Sequence, residues 1–253
     1  MIKKVDINCD MGELMPGVKE NIDEAFMPFI SSCNISCGVH SGNPIIIKKT
    51  IVAALANQVS IGAHPSYPDR ANSGRKSMDI STADLQTHLE HQLYGLNGLV
   101  QSTGGNIYHV KAHGALYNDI AYHEEKAKTF VQTVKSINPC WIIYGLANSP
   151  LKKICEANKM EFVSEVFADR RYESNLQLRS RKLEDAVLHN LEAVELQLGN
   201  FIHNKVESYQ NTILDINTES ICIHSDSPGA LKIAEKVYHF IKERNIEIGK
   251  AER

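Results

Sequence analysis

The sequence predicts an α/β domain of seven parallel strands with helices or long irregular segments between them. Three observations carry this reading. Short apolar runs alternate with helical patterns seven times, the rhythm of parallel βαβ units. Four of the runs divide into one apolar and one strongly polar face. The chain has 253 residues, 43% of them hydrophobic, enough for one large core; β/α barrels of this length are routinely one domain, so residues 1–253 are read as one domain.

The first run, "KVDINCD" (4–10), sets Asp6, Asn8 and Asp10 against Val5, Ile7 and Cys9. The second, "SCNISCG" (32–38), sets Asn34, Ser36 and, beyond a glycine turn, His40 against Cys33, Ile35 and Cys37. Asn43-Pro44 then supplies a cap and a first-turn proline for a helix with Ile47, Ile51 and Leu55 on one stripe. "VSIGAH" (59–64) ends on His64, and residues 65–80 are too long and turn-rich for a simple connection. "STAD" (81–84) is a capping box opening a helix with Leu85, Leu89, Leu93, Leu96 and Val100 inward.

"NIYHVKAH" (106–113) opposes His109, Lys111 and His113 to Tyr108, Val110 and Ala112. "CWIIYGL" (140–146) precedes a helix begun by Ser149-Pro150, and "EFVSEVFAD" (161–169) runs into a polar segment, 170–190, with four arginines between Arg170 and Arg181. Long segments of this kind are often lids or binding loops. "SICIHSD" (220–226) places His224 and Asp226 on one parity, and Ser227-Pro228 opens the last helix, with Leu231, Ala234 and Val237 inward.

The net charge of −3 offers no footprint for nucleic acid or an acidic membrane surface. No apolar run approaches the roughly 18 residues of a membrane span, and the amino terminus lacks the apolar stretch of a signal peptide. A cytoplasmic location is expected. Six cysteines without a CxxC pair read as buried reduced thiols.

Parallel sheets flanked by helices are normally apolar on both faces, so the polar face needs a destination. If it turns inward, the carboxyl ends of the strands form a wet, charged cup, where ligand sites of α/β folds lie. Asp10, His40, His64, Lys111 and His113 are the candidate catalytic residues. Each has an ordinary alternative: Asp10 as a turn cap, His40 as a turn histidine, His64 as a satisfied core imidazole. Lys111 is harder to dismiss, because a strand lysine needs a carboxylate or phosphate partner. His109 reads as structural, and Glu165 and Asp169 stand between the two. "HVKAH" spaces its histidines about 13 Å apart on a strand, at roughly 3.3 Å per residue, too far to share one metal. Asp10, His40 and His64, from separate strands, could hold a divalent metal. Phosphate-loop, nucleophile-elbow and dinucleotide-binding signatures are absent from the sequence.

Six segments together resemble the LamB/YcsF family, the A-subunit proteins of 5-oxoprolinase: "VDINCDMGE" (5–13), "CNISCGVHSGNP" (33–44), "IGAHPSYPD" (61–69), "VKAHGALYN" (110–118), "EVFADRRY" (165–172) and "ICIHSDSPGA" (221–230). The resemblance implies a seven-stranded parallel β/α barrel similar to the glycoside hydrolase and deacetylase barrels. It also implies ATP-dependent opening of the 5-oxoproline lactam to L-glutamate, with Mg²⁺ accompanying the nucleotide, in a complex with two other subunits. By position it places Asp10, Glu13, His40, His64, Lys111, His113 and Asp226 in the site. Asn8, Glu13, Asn34, Arg170 and Asp226 are the expected substrate- or nucleotide-binding residues. Asn43 and Ser225 depart from the family pattern, which usually has an acidic residue and a glycine there. On this reading Lys111 and an arginine of 170–181 offset phosphate charge, Asp10 or His40 is the base, and His113 or His64 the acid. The rivals are a metal-dependent deacetylase or amidohydrolase and a non-catalytic lactam carrier.

Overall fold

The structure is a computed structural model describing residues 1–14, 22–225 and 229–251. In chain order its elements are β1 (Lys4–Met11), α1 (Asp23–Phe26), β2 (Ser32–Ser36), α2 (Pro44–Ala56), β3 (Ser60–His64), α3 (Thr82–Ser102), β4 (Ile107–Lys111), α4 (Gly114–Tyr122) and α5 (Glu124–Ile137). They continue with β5 (Ile142–Leu146), α6 (Leu151–Ala157), β6 (Phe162–Phe167), α7 (Leu191–Phe201), β7 (Lys205–Glu207), β8 (Ile213–Asp215), β9 (Ser220–His224), α8 (Ala230–Glu243) and β10 (Glu247–Ile248).

All seven expected strands form; β1 runs one residue further, to Met11, and the other six are slightly trimmed at their ends. They pair in parallel in the order β1-β2-β3-β4-β5-β6-β9, and β9 pairs back onto β1 through Asp6↔Ser220 to Asp10↔His224, which closes a seven-stranded barrel. The expectation of a parallel β/α barrel holds. Three short strands went unanticipated: β10 extends β1 at Lys4 and Val5, and β7 and β8 make a separate antiparallel hairpin. Runs of three residues or fewer carry too little periodicity to be read from sequence.

The caps account for most helix starts. Asn43 Oδ1 accepts the Ile45 and Ile46 amides at 3.0 and 3.1 Å, satisfying donors that the first turn of α2 would leave open. Ser81 does the same for Asp84, and Leu85, Leu89, Leu93, Leu96 and Val100 of α3 are all buried. Ser149 differs from expectation: α6 begins at Leu151, and the buried Ser149 hydroxyl caps nothing. The expected start of the last helix at Ser227-Pro228 lies outside the described residues; α8 follows Gly229, with Ile233, Ala234, Val237 and Ile241 inward. Leu231 is only partly buried. No disulfide joins the cysteines among the described residues, and Cys140 is exposed, contrary to the expectation of burial. Among the described residues no helix is long and apolar enough to cross a membrane.

Strand parity works as anticipated. Ile7, Cys9, Cys33, Ile35, Val110 and Ile221 join the apolar core with the inward leucines of α3. Asp6, Asn8, Asn34, His109, Lys111, Glu165 and Ser220 meet one another across the barrel and are buried. This interior is not the open, wet cup expected along its whole depth. Its lower part is sealed: the Asp6 carboxylate takes hydroxyl bonds from Ser31, Ser32 and Ser220, and His109 stacks on Tyr144 at 4.1 Å. Gly62 makes room for that arrangement, since a Cβ there would overlap the His109 ring.

Candidate active site

Above the sealed layer, β1, β4, β6 and β9 deliver a buried charge cluster. Lys111 Nζ lies 2.7 Å from Glu165 Oε1, 2.9 Å from Asp10 Oδ1 and 3.0 Å from Cys222 Sγ. The strand lysine thus has the carboxylate partners its placement demands. Burial opposes the charge on Lys111, but Asp10, Cys222 and Glu165 more than offset it and hold the ammonium well above its usual pKa. Burial likewise opposes charge on Asp10, and the neighbouring His64 and Lys111 overcome it, keeping this carboxyl well below the usual carboxylate range. Asn34 donates to Asp10 Oδ1 at 2.8 Å and to Asn8 Oδ1 at 2.7 Å, and Asn8 donates to Glu165 at 2.9 Å. Asn8 and Asn34 therefore orient the charged groups from behind and do not reach the cavity wall.

The imidazoles come from the last residue of β3 and from the turns that leave β2 and β4. His64 Nδ1 donates to the Lys111 carbonyl at 2.7 Å. His113 Nε2 donates to the Ser73 carbonyl at 3.0 Å. That carbonyl belongs to the 65–80 segment, where Asp69 caps a short turn and Ser73 adopts a left-handed backbone with φ 51°. His64 Nε2 and His113 Nδ1 then face each other at 3.0 Å. Glu13 Oε1 lies 3.4 Å from His113 Nδ1 and 2.8 Å from His40 Nε2. His40 stacks on His113 with centroids 3.7 Å apart and nearly parallel rings. Burial, then the neighbouring His64, pushes the His40 pKa well down; burial and the His40 ring do the same to His113.

A cavity of about 480 Å³ opens over these groups, within the range of small-molecule sites. Asp10, Glu13, His64, Lys111 and His113 line its floor. Arg75 and the segment from Leu178 to Lys182 line its rim, so the arginine-rich stretch does border the site. Arg170 donates to the Arg179 carbonyl, yet its buried Nε has no protein partner. Burial, then Arg181, pulls the Arg170 pKa down to about 10. On the remaining wall, His224 Nδ1 lies 2.9 and 3.0 Å from the two oxygens of the buried Asp169 carboxylate, and its ring stacks on Phe167.

Of the expected site residues, Asp10, Glu13, His64, Lys111, His113 and Arg170 converge on this cavity. His40 does not line it; its side chain is covered and acts through Glu13 and His113. Asp226 lies outside the described residues. Glu165, Asp169, Cys222 and His224 belong to the site and were absent from the expected set. Parity had placed His224 on the inward face, but nothing in the sequence showed that Glu165 would meet Lys111 or Asp169 would meet His224.

Fold and site define a parallel β/α barrel whose carboxyl-end cavity joins a buried ammonium–carboxylate cluster to imidazoles and a basic rim. The chain belongs to the LamB/YcsF family, whose model matches residues 5–253. It is 37% identical over 246 residues to the 5-oxoprolinase A-subunit of Bacillus mycoides (strain KBAB4), covering 96% of this chain and 97% of that protein. The lactam utilization protein from Thermus thermophilus superposes with a TM-score of 0.89 at 28% identity, covering 97% of this chain and 99% of that one. A family 4 carbohydrate esterase from Streptomyces lividans shares the fold alone, with a TM-score of 0.51 at 9% identity over 98% of this chain and 92% of that one.

Proposed function

We propose that this chain is the lactam-opening subunit of a cytoplasmic, ATP-dependent 5-oxoprolinase, converting 5-oxo-L-proline to L-glutamate with two other subunits. The observation that carries the reading is a single cavity joining an ionised Asp10, held by Lys111, to a rim containing Arg75, Arg170 and Arg181. The names of the B. mycoides and T. thermophilus relatives support a lactam as substrate.

A five-membered lactam resists water at neutral pH. Transfer of the ATP γ-phosphoryl group to its carbonyl oxygen yields ADP and an imidate phosphate with an electrophilic carbon. Water then adds to that carbon while losing a proton to Asp10, the ring nitrogen is protonated and the C–N bond breaks to give γ-glutamyl phosphate, and a second water displaces inorganic phosphate from that acyl phosphate to leave L-glutamate. The basic rim meets the phosphoryl and carboxylate charge, with Mg²⁺ accompanying the nucleotide. Lys111 is better suited to holding Asp10 and Glu165 than to contacting phosphate, because its three N–H bonds are already engaged. His224 suits the role of acid: Asp169 holds its Nδ1–H, leaving Nε2 for the substrate.

The test is ATP consumption with 5-oxoproline, for this chain alone and with its two partners. Coupled turnover should require the partners and should fall about a hundredfold or more in Asp10→Asn. Turnover within about threefold of wild type in Asp10→Asn and His224→Gln would overturn the reading.

A further inference from the structure

We propose that His64 Nε2, His113 Nδ1 and Glu13 Oε1 form a site for one divalent ion of the zinc type, open toward the cavity. These three atoms lie within 4.8 Å of one another. The tautomers carry the argument. His64 Nδ1 and His113 Nε2 each face a backbone carbonyl, which can only accept, so both carry their protons there. When neither ring carries a second proton, the two remaining nitrogens present lone pairs to each other across 3.0 Å, with the Glu13 carboxylate oxygen 3.4 Å from one of them.

Three electron-pair donors converging on one point need a cation between them. A single shared proton would serve the two rings alone. A metal ion serves the rings and Glu13 together. Bonds of about 2.0–2.2 Å around a tetrahedral ion set neighbouring donors roughly 3.3–3.5 Å apart, so the 3.4 Å pair already fits and the 3.0 Å pair must open slightly. The carbonyl behind each imidazole is the outer partner that metal-bound histidines usually have. Glu13 is itself anchored by His40 at 2.8 Å, which gives the covered His40 a positioning role. Asp10 Oδ2, 3.4 Å from His64 Nε2, borders the site, where it would meet a metal-bound water or lactam oxygen. This set replaces the Asp10, His40 and His64 combination expected from sequence.

The full-length chain, stripped with a chelator and without ATP or partners, is titrated with Co²⁺ and then Zn²⁺. One Co²⁺ per chain should bind, with the intense visible absorption of a four-coordinate site, and Zn²⁺ should displace it. His113→Asn and Glu13→Gln, each checked for folding by circular dichroism, should weaken binding about tenfold or more. The exposed pair His88 and His91, changed to glutamine, should leave it unchanged. Absence of saturable binding below about 100 μM metal would overturn the proposal. So would binding that persists in the His113 and Glu13 variants or vanishes in the His88/His91 variant. Because no turnover is read, failure here is distinct from failure of the lactam-opening reading.

Discussion

The Lys111 ammonium and the Glu165 carboxylate meet at 2.7 Å inside the barrel, both almost completely shielded from solvent. Such a pair contributes little net stability over an apolar replacement, but removing one member strands the other. Here Lys111 also serves Asp10, so its loss leaves two carboxylates without their cation.

Lys111→Met should therefore destabilise the chain by about 3–5 kcal/mol at neutral pH, read from urea unfolding. Glu165→Gln should cost less, since Lys111 keeps Asp10. A Lys111→Met loss below about 1 kcal/mol would show that the cluster is more hydrated than its burial indicates.

Acid should destabilise the fold partly through His109. Burial, then the Lys111 charge, lowers its pKa from 6.5 to about 3. Its Nε2 is bonded to Asn34 and its Nδ1 has no partner for a second proton. The unfolded chain takes up that proton below pH 6.5 and the folded chain only near pH 3, so stability is full above 6.5 and falls as pH drops between these values. The loss should approach about 1.4 kcal/mol per pH unit for this group. His109→Gln should flatten the dependence of urea midpoints between about pH 4 and 6 by about that slope; identical slopes would contradict it.

Gly62 tolerates no side chain, because its α-carbon faces the His109 ring. Gly62→Ala should cost about 1–3 kcal/mol by overpacking. The double variant Gly62→Ala/His109→Ala should recover part of that loss, and strict additivity would remove the steric explanation.

Asp169 positions His224 and does not itself line the cavity. Asp169→Asn should lower kcat of the reconstituted complex about a hundredfold with a much smaller change in KM, and should move the pH profile of kcat. An unchanged pH profile would mean that the Asp169–His224 pair serves folding alone.

Much of the architecture was legible in the chain itself. Seven apolar runs became seven barrel strands, the Asn43 and Ser81 caps opened α2 and α3, and alternation along β1 and β4 sorted Asp10 and Lys111 inward. These features are local: a two-residue side-chain period, a cap at a first turn and a leucine stripe along a helix need only near neighbours.

The pairings that make the site were decided by barrel closure. Lys111 meets Glu165 and Cys222 from strands far away in the chain, the second of them 111 residues on, and no spacing rule reaches that far. The same closure covered His40, sealed Asn8 and Asn34 below the cavity and turned Nε2 of His64 and Nδ1 of His113 toward each other. A strand determines which face a side chain takes. Which charge lies opposite, and how much water remains between them, depends on strand register and on backbone carbonyls such as that of Ser73, which exist as partners only once the chain is folded.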